Sequence, residues 1–180
     1  MDYPNGYPAT PVVVNTFSKY FTSSVSINAF GAGTTFTNTS PGSATSPMMP
    51  FTLDAPYVVA SLFIANGTTI NGNTDIAIYS SGGSGTSTRI TSVGTIAQSG
   101  ASVPQIRALA TPILLPPGNY YLAVYNSGTG QYAGITLTAL QAAACGIMEC
   151  GSALNASVGV VRSTGLHYYL AGFSRLASGY

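Results

Sequence analysis

Acid–base, nucleophilic or metal chemistry needs titratable side chains brought together, and this chain holds few of them. The acids are Asp2, Asp54, Asp75 and Glu149; His167 is the single histidine, and Cys145 and Cys150 are the only thiols. Asp54 sits two residues before Pro56 and Asp75 follows an Asn/Gly-rich turn, positions where aspartate commonly bonds its own backbone. A glycosidase would need two facing carboxyls, for which these two are the candidates, and nothing in their setting brings them together. A Ser/His/Asp triad through His167 can be drawn only because serine is abundant, and no Gly-x-Ser-x-Gly elbow accompanies it. Asn71, Asn73 and Asp75 alternate as oxygen ligands of a calcium loop do. The later glutamate of such a loop is missing, and the stretch reads as a hairpin turn. Cys145 and Cys150 are five apart, not the redox C-x-x-C spacing, and one histidine leaves no four-ligand zinc set. A disulfide between them is feasible if the backbone brings them close; two small buried thiols are the preferred reading. The expectation is no catalytic residue, no metal and no cofactor.

Only 5% of residues are charged, against roughly 25% in an ordinary soluble domain. Serine, threonine, asparagine and glycine take their place, and the net charge is +1. So little repulsion favours self-association, and the surface is expected to be covered in part by neighbours. Lys19, Arg89, Arg107, Arg162 and Arg175 are scattered, which excludes a basic stripe for nucleic acid. No apolar run reaches the ~18 residues of a membrane helix. The first residues have neither a basic nor an apolar segment of a secretory signal, so the chain is expected to stay where it is made, to be a mature form, or to leave as part of something larger, and its thiols are expected to stay reduced.

The elements that would position these residues are strands. Leu115-Pro116-Pro117-Gly118-Asn119-Tyr120-Tyr121-Leu122-Ala123-Val124-Tyr125 joins a turn to an uncharged run bounded by Asn126-Ser127-Gly128. It reads as a central strand buried on both faces, with Tyr120, Leu122 and Val124 on one side and Tyr121, Ala123 and Tyr125 on the other. Residues 57–65 predict a strand with Val58, Ala60, Leu62 and Ile64 on one face. Residues 75–79 predict another with Ile76 and Ile78 together, and 89–97 a weaker one. Residues 103–109 and then 110–115 lead into the central turn, and further strands are expected around Ile135 and Leu137, at 158–161 and over 166–173. Residues 31–50 read as a long loop or short edge strand, 80–88 as a flexible tip, and 140–145 as the one short helix. Turns every 8–12 residues predict a single all-β domain over 17–180, an antiparallel β-sandwich that is jelly-roll-like. Residues 1–16, with Pro4, Pro8 and Pro11 among tyrosines, predict an extended N-terminal arm.

The strand Asp75-Ile76-Ala77-Ile78-Tyr79, a Gly/Ser loop, and Leu115-Pro116-Pro117-Gly118-Asn119-Tyr120-Tyr121-Leu122-Ala123 resemble β-sandwich modules of tailed-bacteriophage virion proteins. These are head decoration (cement) proteins and tail or fibre domains. The resemblance spans about residues 57–140. It implies a non-enzymatic structural protein of the virion, a homo-oligomer with a trimer favoured, seated on major capsid protein or other virion subunits. Extended termini would then lie across neighbours, with Tyr3, Tyr7, Val12, Val13, Val14, His167, Tyr168, Phe173 and Tyr180 as the expected interface residues. The alternative is a carbohydrate-binding module that presents tyrosine and asparagine on loops such as 125–132.

Overall fold

The Pro116-Pro117 turn carries the chain from one sheet to another. It follows β7 (Pro104–Leu115) and precedes β8 (Gly118–Asn126), which lie in different sheets. Tyr120, early in β8, donates its hydroxyl to the Pro116 carbonyl at 2.7 Å, a tyrosine corner that fixes this crossing. The structure is a computed structural model and describes residues 36–81, 85–162 and 167–174.

The chain is all-β and forms a β-sandwich. Its strands are β1 (Phe36–Thr39), β2 (Ser46–Leu53), β3 (Tyr57–Ala65), β4 (Asn73–Ser80), β5 (Thr86–Ser92), β6 (Ile96–Ala97), β7 and β8. Then come β9 (Tyr132–Thr136), β10 (Met148–Cys150), β11 (Ser157–Gly159), β12 (Val161–Arg162), β13 (His167–Tyr169) and β14 (Ala171–Ser174). Among the described residues one short helix, α1 (Ala139–Ala144), falls where the sequence predicts it. Thr138 and Gln141 cap it reciprocally through side chain and backbone.

One layer runs β11-β5-β4-β8-β2-β10-β12, with β6 also on β4. β8 lies at its centre, as expected. The opposing layer is made of β1-β9-β13 and β14-β3-β7. Leu170 joins these two pieces: its N–H donates to Ala133 and its carbonyl accepts from Ala65, at 2.9 and 2.8 Å. Between the layers Met49, Phe51, Ile76, Ile78, Leu122 and Val124 meet Val59, Leu62, Ile64, Tyr132, Tyr169 and Phe173. Each such side chain removed from water stabilises the fold by about 1.5–3 kcal/mol.

The other face of the large sheet is covered too. β11 and β12 lie on its opposite edges yet are separated only by Val160, whose N–H donates to the Gly85 carbonyl at 2.8 Å. One extended stretch therefore serves both edges, and the sheet nearly closes on itself as a small barrel. Inside it Met48, Ala77, Tyr79, Ala123, Cys150, Leu154 and Val158 form a second core. β4 and β8 are buried on both faces because each divides its alternate residues between the two cores.

Two expectations are corrected. Residues 46–50 are not loop: β2 runs through Pro47 and Pro50 and places the neighbours Met48 and Met49 in different cores. Pro47 stands opposite Glu149 and Pro50 opposite Tyr121, in a strand with partners on both sides. On β3, Val59 rather than Val58 joins Leu62 and Ile64 in the core. The register with β7 shifts between Val59 and Ser61, and this bulge inverts the alternation that the sequence pattern assumes.

Candidate functional site

Asp54 and Asp75 are kept apart. Leu53 pairs with Gly118 and Asp75 with Tyr125, so Asp54 and Asp75 lie toward opposite ends of β8. Seven residues of strand separate those ends by about 23 Å, far beyond the carboxyl spacing of a glycosidase. Asp54 is exposed; Asp75 is 5% exposed and accepts a hydrogen bond from Ser92 Oγ at 2.7 Å. Burial pushes the Asp75 carboxyl above the usual range, and the Ser92 hydrogen bond and the Arg89 charge only partly oppose this. Arg89 itself donates from Nη1 to the Leu154 carbonyl. Among the described residues, no three His, Cys, Asp or Glu side chains gather as a metal site.

Cys145 and Cys150 are free, buried thiols. Cys145 belongs to the main core and Cys150 to the barrel core, on opposite sides of the large sheet. Burial pushes both thiols up, Cys150 to about 11.

Glu149 and His167 do share a feature, a shallow pocket of about 50 Å³ with Ser40, Pro41, Thr45, Pro47 and Tyr169. It lies where β13 and the β1–β2 loop face β2 and β10. Burial pushes the His167 imidazole down, and it pushes the Tyr169 phenol up to about 12, an effect the Thr39 hydroxyl partly offsets. Thr136 Oγ1 is 3.4 Å from His167 Nδ1. The pocket has room for a few waters and falls short of the several hundred Å³ of a substrate cleft.

A buried amide cluster had no counterpart in the sequence reading. Asn66, Gln98, Gln105 and Asn126 are each at most 6% exposed. Gln98 Nε2 donates to Asn66 Oδ1 and to the Gln131 carbonyl, while its Oε1 accepts from the Asn71 N–H at 2.9 Å. Asn126 Nδ2 donates to Tyr132 Oη at 2.8 Å, and Thr74 Oγ1 is 2.5 Å from the same oxygen. Glycines admit the close approach: a Cβ on Gly130 would overlap Gln98 Oε1 and the Asn71 carbonyl. The Asn-Gly and Gly-x-Gly spacing around Asn71 and Gly128 was the available signal, and it read only as turns. The cluster ties the 66–73 and 126–131 loops together. Of the loop that the glycan reading named as an example, Asn126 and Tyr132 are fully buried and Tyr125 packs on the barrel core.

The expected interface residues divide in the same way. Phe173 is a core residue, tilted against Phe51 at 5.0 Å and edge-on to Tyr57 at 5.3 Å, so it presents no surface. Tyr168 is buried in the main core and His167 is half-buried. Tyr3, Tyr7, Val12, Val13, Val14 and Tyr180 lie outside the described residues, as does the arm over 1–16.

The surface feature that sequence reasoning missed is the outer side of β14-β3-β7. Cross-strand partners share a face, and here Val58 pairs with Leu114 and Phe63 with Ile106. Leu114 is 65% exposed and Ile106 63%, while Val58 and Phe63 are half-buried. Arg107, the one charge on these three strands, pairs with Leu62 and so belongs to the opposite side. Sandwich sheets ordinarily turn polar residues outward; this one turns two uncharged apolar pairs outward, with the Ser61 and Ser174 hydroxyls, bonded to each other, between them. Compared with protein-family models, with curated proteins and with solved structures, the chain shows no match.

Proposed function

We propose that this chain is a non-enzymatic structural protein that works by assembly, as a capsid decoration or cement protein of a phage head. Its partners in this reading are further copies of itself and other virion subunits, the major capsid protein first, and its location is the virion. The virion setting rests on the resemblance carried by residues 75–79 and 115–123. The assembly role rests on one observation, the exposed Ile106 and Leu114 beside half-buried Phe63 and Val58 on the outer face of a domain with 5% charged residues. Covering Ile106 and Leu114 would contribute about 1.5–3 kcal/mol each if fully buried, enough for weak contacts that many copies multiply. The dispersal of Asp54 and Asp75 and the small volume of the Glu149/His167 pocket support a role without catalysis.

Size-exclusion chromatography with light scattering tests the reading at low and high salt. An oligomer whose mass is the same at both is expected, because little Coulomb energy is available to screen. A monomer that binds glycans on an array would replace this reading with the carbohydrate-binding one.

A further inference from the structure

We infer that Asn71, and not Asn66, is a site of spontaneous deamidation through the backbone, and that its conversion unties the two loops that the amide cluster joins. The inference stands apart from the assembly reading and holds whether or not the chain self-associates. Both asparagines precede a glycine, which has no side chain to shield its backbone nitrogen; a third such pair, Asn5-Gly6, lies outside the described residues. The reaction at Asn71 is a ring closure. The Gly72 nitrogen loses its proton to solvent and attacks Asn71 Cγ; the N–Cγ bond forms, the Cγ–Nδ2 bond breaks, and Nδ2 leaves as ammonia with a proton returned from solvent. Water then opens the succinimide. Cleavage of the new N–Cγ bond gives aspartate, and cleavage of the bond from that nitrogen to the Asn71 main-chain carbonyl carbon gives isoaspartate. Nothing is oxidised or reduced, and water is the co-reactant.

The fold separates the two asparagines. Asn66 is 2% exposed, its Nδ2 donates to the Ser99 and Gly100 carbonyls at 2.6 and 3.0 Å, and its Oδ1 accepts from Gln98 Nε2 at 3.1 Å. Its nucleophile is engaged as well, since the Gly67 N–H donates to the Gln131 carbonyl at 2.8 Å. Ring closure at Asn66 must break these bonds in a buried setting and so waits on local opening. Asn71 is exposed, and among the described residues neither its side-chain amide nor the Gly72 N–H makes a hydrogen bond. The fold also holds the susceptible glycine in place. Gly72 has φ +82°, and a Cβ there would lie 2.6 Å from Gly128 N and 2.8 Å from Asn126 Oδ1, so a shielding side chain is not accommodated. The main chain of Asn71 is tied at both ends: its N–H donates to Gln98 Oε1 at 2.9 Å and its carbonyl lies against Gly130. Isoaspartate routes the main chain through the former side-chain carbon, which displaces these ties and leaves a carboxylate beside Gly128.

The experiment incubates the full chain at mildly acidic and mildly alkaline pH, native and in denaturant, and follows each asparagine by peptide mapping, with isoaspartyl methyltransferase to count the isoaspartate. In the native chain residue 71 should convert to a mixture of aspartate and isoaspartate, faster at the alkaline pH because the attacking amide must lose its proton. Asn66 should lag by about tenfold or more, the effect of the bonds it must first break. In denaturant the two rates should converge, since both are then open Asn-Gly pairs. The converted protein should unfold at a lower temperature than N71D, which carries the charge without the rerouted main chain. Equal native rates at residues 66 and 71, or a native Asn71 that stays intact while the denatured chain converts at both, would overturn the site. Converted protein that melts with N71D would overturn the untying of the loops.

Discussion

Asp75 is the residue at which the shortage of charge becomes a measurable property. Its folded-state pKa lies above its unfolded value because burial penalises the carboxylate more than Ser92 and Arg89 favour it. Its contribution to stability is therefore full below the unfolded pKa and is lost as pH rises through the folded one. Asp75→Asn keeps an acceptor for the Ser92 hydroxyl and cannot ionise. Denaturant titrations should show the variant gaining on wild type as pH rises from about 4 toward neutral, with no gain at the acid end. Gln98 is the opposite case, a neutral group with partners on both of its amide atoms. Gln98→Ala would strand the buried Asn66 Oδ1, at about 1–3 kcal/mol, and would also remove the part-buried acceptor of the Asn71 N–H. Gly130→Ala should be worse tolerated than most surface changes, since its Cβ has no space beside Gln98 and Asn71; thermal unfolding would read both.

At the scale of elements, two tyrosines hold crossings that strand pairing alone does not. Tyr120 pins the turn between sheets through the Pro116 carbonyl, and Tyr79 inside the barrel donates to the Asn155 carbonyl at 2.7 Å. Tyr120→Phe should lower stability by about 1 kcal/mol with little change in rings that already stack on Phe51. Tyr79→Phe should instead act locally, raising hydrogen exchange at residues 153–158, where the chain crosses between β10 and β11. The thiols report on the two cores. With Cys150 pushed up to about 11 and Cys145 also raised, neither should react with a maleimide at neutral pH until the fold opens. Rapid labelling of native protein would contradict their placement.

For the whole molecule, sequence composition and structure speak to different questions. The alternation of β8 and β4, the short helix and the all-β class were legible because each depends on local periodicity and turn chemistry. β2 was not, because Pro47 and Pro50 are local signals against a strand while its reasons for being one, Met48 and Met49 facing two cores, are contacts with distant residues. The face assignment on β3 failed at a single bulge, since a one-residue slip reverses every side chain beyond it. The amide cluster was invisible for a similar cause: its members span residues 66–131, and a buried glutamine differs from an exposed one only in what surrounds it. What the sequence by itself determined is a β-rich, nearly uncharged chain too poor in titratable groups to suggest a reaction. Only the tertiary structure decided which apolar residues became core and which became surface. Phe173 went inward and Ile106 and Leu114 outward, because burial is set by sheet order and register across the whole chain, and those are not local quantities.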